Sequence, residues 1–450
     1  MKKLLAFLLT LALLTTAFVG CDKNDNPHNN QSEQSQSGSG EDSTTVSDST
    51  TVSDETTVGD ETTGGEGTTD GNETTNGNSE VTYSQGLVFE LSYDKSSYYL
   101  SSVGTCKDSE VIIPAEYNNL PVTDIATNAF ENCTWITKVT IPESVTIINC
   151  NSFVNCPNVV ETQNGITYIG KWLLKCDTSV ENVAIREDTV GIATWAFWGC
   201  NQITEVVIPD SVKHMNMIFR DCSSLKSVTL PNGLTKIGAS FFSECTALES
   251  VTIPSSVNTI GDSAFYGCRS LTTITLPEGL TTIGTQAFEY CSSLVSIIIP
   301  DSVTSIGSYA FHNCQALKTV KLSNSLTSIE ERTFYYCLAL ETVNIPDSVT
   351  SIGKETFAIC GNNLEIVIPD SVTSIGEAVF FNSFATSISL GKGITSIPAH
   401  LFNGSKKLRN IYFDGTLAEW KSLEKGSNWN KDVIGCMVIC NDGNISISSN

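Results

Sequence analysis

From about residue 110 onward, apolar and polar positions follow one recurring order. An alternating β-branched pair leads to a Pro, then a polar turn, two further aliphatics, a Gly, an Ala-Phe pair and a Cys three residues after Phe. Aligned, the copies read L-x-x-[VI]-x-[IL]-P-x-x-[VL]-T-x-I-G-x-x-A-F-x-x-C, with a period near 23 residues. The words Ile299–Gly307, Ile345–Gly353 and Ile368–Gly376 are identical. The Pro slot falls at Pro209, Pro231, Pro254, Pro277, Pro300, Ser323, Pro346, Pro369 and Gly391, in steps of 22 or 23. Arg186, Pro142 and Pro114 mark earlier copies, and a degenerate one lies at Asn410–Phe413, giving 13 turns. A unit this short cannot bury its own apolar face, so the pattern predicts a solenoid of stacked units.

Each unit predicts its own elements. The [VI]-x-[IL] piece is a short strand with alternate residues facing inward. Pro ends it, because Pro has no N–H for the ladder. Asp-Ser, Glu-Gly or Asn-Gly make the turn, the next Val and Ile point back inside, and A-F-x-x-C is read as a helical turn burying Phe. Parallel pairing at about 4.8 Å per turn predicts one continuous inner sheet roughly 60 Å long. Between Pro142 and Arg186 the step is 44, so one unit carries an insertion. Alternating apolar residues and Asn164-Gly165 predict a hairpin near 164–176.

The first 85 residues have a different character. Lys2 and Lys3 precede an apolar run, Leu4 to Val19, of 16 residues, which reads as a secretory signal (1–20) because a span needs about 20. Residues 21–85 hold almost nothing apolar and carry 14 acidic residues against one Lys. They form a disordered Thr/Ser-rich spacer with an r.m.s. reach above roughly 45 Å. The solenoid then occupies 86–412 and a cap 413–450.

The repeat consensus, an opening segment and a closing segment carry a family resemblance. Gly104-Thr105-Cys106, Val111–Pro114 and Tyr117–Thr123 are similar to the opening unit of the BspA-like class of leucine-rich repeats, found in bacterial surface proteins. Tyr412–Thr416, Glu419-Trp420, Gly426–Asn430 and Cys440–Gly443 resemble that family's closing cap. Ser383 and Ser405 in the Cys slot, Asn149 in the Gly slot and Asn363 in the Leu slot depart from the pattern. Phe18-Val19-Gly20-Cys21 resembles a bacterial lipobox, with Phe18 where Leu is usual, which implies lipidation at Cys21. Together the resemblances imply a membrane-anchored lipoprotein on the bacterial cell surface that adheres to, or binds, an extracellular, host or bacterial surface protein.

Charge and chemistry narrow the functions. The net charge is −24. The first 20 residues contribute +2 and the spacer −13, leaving −13 for the rest. Such a chain has no basic footprint for nucleic acid. Ten of the 16 cysteines, from Cys133 and Cys156 through Cys200 to Cys360, share one repeat slot. Their Cβ directions are then parallel, so they are read as buried small fillers rather than disulfides or metal ligands. Cys436 and Cys440, about 13 Å apart along a strand, cannot pair with each other, while Cys106, Cys150 and Cys176 stand outside the column as candidate reactive thiols. His28, His214, His312 and His400 are scattered, and no nucleophile elbow, phosphate loop or zinc signature occurs. Asp301, Asp347 and Asp370 occupy turn slots. The chain is read as a non-enzyme with no catalytic residue, cofactor or metal.

What remains is the outward face of the inner strands. Its ligand-facing column is Thr229, Thr252, Thr275, Ile298, Lys321, Asn344 and Val367. Val207 precedes it, Ser389 follows it, and a second column runs from Glu205 to Thr342. Ile298–Asn344 is the preferred patch, and Trp195–Trp198, on the other side, is a second. Three readings follow: adhesion or protein binding, a structural surface coat without a ligand, and a glycan-binding accessory, which needs aromatic platforms these columns lack.

Overall fold

The computed structural model describes residues 83–361 and 364–447. The signal, Cys21, the spacer up to residue 82 and Asn363 lie outside the described residues, whereas Ser84, counted with the spacer from sequence, is buried and donates its N–H to Ile112 O at 3.0 Å. The chain divides into two units, Met1–Tyr83 and Ser84–Asn450, and only the second is described beyond a single residue. It is a β-solenoid of about 15 turns at roughly 23-residue spacing. Two stacked strands escape a count made on Pro slots. Trp172–Cys176 pairs in parallel with Gly191–Ile192, and Cys436–Cys440 pairs in parallel with Asn410–Phe413.

One turn shows how the repeat folds. Strand Ser296–Ile298 pairs with Thr319–Lys321 of the next turn. Pro300 then closes a β-turn, its carbonyl accepting from Val303 N–H at 3.0 Å. Strand Ser305–Ile306 joins a second ladder by pairing with Thr282–Ile283. The glycine after that ladder is required by close approach rather than by dihedral freedom. A Cβ on Gly261 would lie 2.8 Å from the backbone nitrogen of Ala239 in the preceding turn.

The A-F-x-x-C segment is not the helical turn expected from sequence. It is a run of β-turns, with His312 N–H donating to Tyr309 O (3.0 Å) and Cys314 N–H to Phe311 O (3.3 Å). Two residues per turn, one on either side of Phe, have left-handed backbones: Tyr309 and Asn313 around Phe311 both have φ 61°. These reversals leave alternate N–H groups pointing along the stack. Tyr309, Phe311 and Asn313 donate to Glu331, Thr333 and Tyr335 in the next turn at 3.0, 2.9 and 2.8 Å. An α-helix would spend those donors within the turn, whereas this arrangement makes a third ladder.

Inside, the Phe side chains form a column with no solvent exposure. Phe265, Phe288 and Phe311 stack at centroid spacings of 5.1 and 5.4 Å with planes 2° apart. A single apolar cluster runs from Ile166 to Ile447. The column ends on Trp429, 6.2 Å from Phe402, and Trp420. Trp420 sits on the helix Leu417–Ser422, which Thr416 and Glu419 close with reciprocal side-chain-to-backbone bonds.

The inner sheet is not continuous, contrary to the sequence expectation. Glu110–Ile112 pairs only with Lys138–Thr140, and Glu205–Val207 only with Ser227–Thr229. The inserted strands Glu161–Gln163, Ile166–Ile169 and Trp172–Cys176 cause the first break by joining the second ladder instead. Asn164 and Gly165, at φ 51° and 76°, form the first turn of that antiparallel meander. A further break spans the stretches around Val251 and Ile274. There the inward residues are 5–9 % exposed and the bond from Thr272 N–H to Glu249 O stretches to 3.5 Å. The turn-side ladders hold the stack together while the strand side opens. From Ser296–Ile298 the sheet runs unbroken through seven parallel strands to Cys436–Cys440 and is closed by antiparallel Gly443–Ile447.

Candidate protein-binding face

The outward column now separates into parts. Ile298, Lys321 and Asn344 lie side by side in register, with Val367 on the following strand of the same ladder. Thr229 belongs to the separate two-stranded sheet, and Thr252 and Thr275 lie in the unpaired stretch. All seven are exposed. Ile298 and Val367 are 66 % and 63 % accessible, unusual for branched aliphatics on a rigid sheet.

The column continues beyond the residues chosen from sequence. Ser389 pairs with Tyr412, and Tyr412 with Ile439. Tyr412 is 42 % exposed. It stands 23 residues after Ser389, so the repeat spacing was the signal that could have found it; its position in the cap concealed it. Val367, Tyr412 and Ile439 line a groove of about 760 Å³, together with Asp347, Asp370, Gly391, Asp414 and Asn441 at the strand exits. Gly391 replaces the repeat Pro, and a Cβ there would lie 2.6 Å from the backbone nitrogen of Asp370. Bare backbone at this slot lets the turn pack directly on Pro369 and Asp370 of the preceding one.

Three of the strand-exit acids accept hydrogen bonds from the next turn, by backbone or side-chain amide. Asp301 accepts from Asn324 N–H at 3.0 Å, which with the Asn324 amide keeps its carboxyl below the usual range. Asp370 accepts from Lys392 N–H at 2.9 Å, and Asp414 from the Asn441 amide at 3.2 Å.

The thiols do more than fill space. In the regular turns each repeat Cys donates to the carbonyl of the Phe one turn earlier. Examples are Cys222 to Phe197 at 2.9 Å and Cys360 to Phe334 at 2.8 Å. Ser405 makes the same bond to Phe380 at 2.6 Å, which accounts for its place in the slot. Cys106, Cys150 and Cys176, expected as candidates for reactivity, are all buried, and none is in a disulfide.

Two further clusters lie off the inner face. Glu289 and His312 form a pair at 2.6 Å, with side chains 6 % and 15 % exposed, beneath Tyr290, Tyr309 and Tyr335. A second cavity, of about 480 Å³, lies beside the inserted meander, where Trp172 stacks on His214 at 5.8 Å. Burial, aided by Lys213, holds that imidazole below its ordinary pKa. In the Trp195–Trp198 stretch only Trp198 reaches the 36 % exposure of a surface residue, and its ring N–H is bonded to Asp221 at 2.8 Å. Among the described residues no three His, Cys, Asp or Glu side chains are placed to hold a metal ion.

A family profile matches residues 123–247, 215–341 and 282–409, described as a BspA type leucine rich repeat region (6 copies). The chain belongs to the BspA-type leucine-rich repeat family. No curated protein matches it. Solved structures similar to this BspA-type chain include a leucine-rich repeat protein from Bacteroides ovatus (25 % identity, TM-score 0.48, covering 76 % of this chain and 98 % of that one). Another is a leucine rich cell surface protein from Faecalibacterium prausnitzii (25 %, 0.35, 76 % and 96 %). The pneumococcal vaccine antigen PcpA is a third (19 %, 0.33, 75 % and 88 %).

Proposed function

We propose that this BspA-type chain is a non-catalytic, surface-displayed protein that adheres to or binds an extracellular, host or bacterial surface protein. The partner lies along the inner ladder from Ile298 to Tyr412. The observation that carries this reading is the exposure of Ile298 and Val367 on one in-register, eight-stranded sheet. An apolar, rigid, concave-type strand face is where solenoids of this kind hold partners. The N-terminal sequence supports display: a signal-like run, then Cys21 as the lipid anchor, then an acidic spacer that carries the solenoid away from the membrane.

The test is capture of extracellular-matrix and bacterial-surface proteins by the full chain in detergent, compared with an Ile298→Asp, Lys321→Glu double variant. A partner captured by the parent chain and lost in the variant is the expected result. A partner retained in full moves the site off this ladder. Self-association with no partner at all would mark a structural surface coat, and capture of polysaccharide in place of protein a glycan-binding accessory.

A further inference from the structure

The groove at the far end of the ladder has a chemistry that the Ser/Thr-rich columns before it lack. Its floor is apolar and aromatic, formed by Val367, Tyr412 and Ile439, and its rim carries the carboxylates of Asp347, Asp370 and Asp414. No Lys or Arg lines it. The neighbouring Lys392 ammonium, 3.9 Å from Asp370, offsets part of one of the three charges. We infer that this groove binds a cationic, extended segment of the protein partner, with Lys or Arg side chains at the rim and aliphatic ones on the floor. The inference rests on the binding role proposed above and names the chemistry of the partner.

Charge complementarity selects this occupant. An anionic or neutral segment would leave a net negative rim beside an apolar contact, since Lys392 offsets only part of one of the three charges, whereas a cationic one meets the carboxylates at the edge of a low-dielectric floor. The Tyr412 ring adds a face for an ammonium or guanidinium. Dimensions agree. Asp347 and Asp414 stand three turns apart, roughly 14 Å at strand spacing, which an extended chain covers in about four residues. The rim thus reads basic residues two to four positions apart.

The experiment titrates the full chain with fluorescent (Lys-Val)4, (Glu-Val)4 and (Ser-Val)4 peptides at low and high salt. The Lys peptide is expected to bind, to weaken as salt rises, and to lose at least tenfold in affinity in an Asp370→Asn, Asp414→Asn variant. Asn keeps the oxygens that accept from Lys392 and Asn441, so a thermal melt matching the parent confirms that only charge has changed. Tyr412→Ser is expected to weaken it independently. Equal affinity for Lys and Glu peptides overturns the inference, as does unchanged binding in the Asn variant. Peptide displaced by stoichiometric calcium binding in calorimetry also overturns it. A protein partner captured equally by parent and Asn variant, with the Lys peptide unbound, removes this inference while the binding role stands. Failure to capture any partner removes the role itself.

Discussion

The thiol of Cys291 donates to the carbonyl oxygen of Phe265, 3.2 Å away in the preceding turn. Residues 25 or 26 apart are joined in this way in the regular units, on the side of the solenoid where the backbone reverses twice around Phe. Both residues are fully buried, and the bond adds a second donor to a carbonyl that also accepts from Cys268 N–H at 3.1 Å.

Removing that donor should cost more than removing its volume. Cys291→Ala is expected to destabilise the fold by about 2 kcal/mol, from a lost core atom and a lost second bond to a carbonyl that keeps only Cys268 N–H. Cys291→Ser keeps a donor, as Ser405 does, and should cost less. Guanidinium unfolding midpoints decide the order; a Ser variant weaker than the Ala variant contradicts the role.

The column should also make the protein sensitive to alkali. Burial pushes the Cys222 thiol from 9.0 up to about 12, and Cys245 and Cys268 well above the ordinary value. In the unfolded chain these thiols ionise first. Stability is therefore whole below pH 9 and declines as pH rises from there toward the folded-state values. The melting temperature should fall across this window, and less steeply in Cys222→Ser. Equal slopes would show that other groups drive the loss.

Ile359 occupies the left-handed slot after Phe357 at φ 56°, where the turn before has Tyr336 and the turn after has Asn382. A β-branched residue there is strained by about 1–2 kcal/mol. Ile359→Asn should raise the melting temperature. A fall would mean that its partly buried side chain packs for more than the backbone strain costs.

The Glu289–His312 pair is a different kind of liability. One Glu289 oxygen is buried without a partner. His312→Leu leaves the carboxylate wholly unpaired and should cost about 3–5 kcal/mol. Replacing both residues with Leu should recover most of that loss, because the same slot holds Tyr266 and Tyr335 in adjacent turns. A double variant as weak as the single one would assign the cost to packing.

Much of the architecture was legible in the residues alone. A 23-residue period makes stacking unavoidable, so the parallel ladders, the Phe column and the inward Val, Ile and Leu positions follow from spacing and apolarity. The exposure of Ile298, Lys321, Asn344 and Val367 follows from strand alternation in the same way. Other features depended on how one turn meets the next. The paired left-handed residues around Phe311, the Cys291 bond to Phe265 and the breaks near Val251 and Ile274 are cross-turn arrangements that a consensus averages away. The groove brings together Gly391, packed closely on Asp370, and Tyr412, a residue of the cap that takes its place in register beside Ser389. Repetition in the sequence determined the ladder. Only the contacts between unlike turns decided where that ladder opens, where it is apolar and where it carries charge.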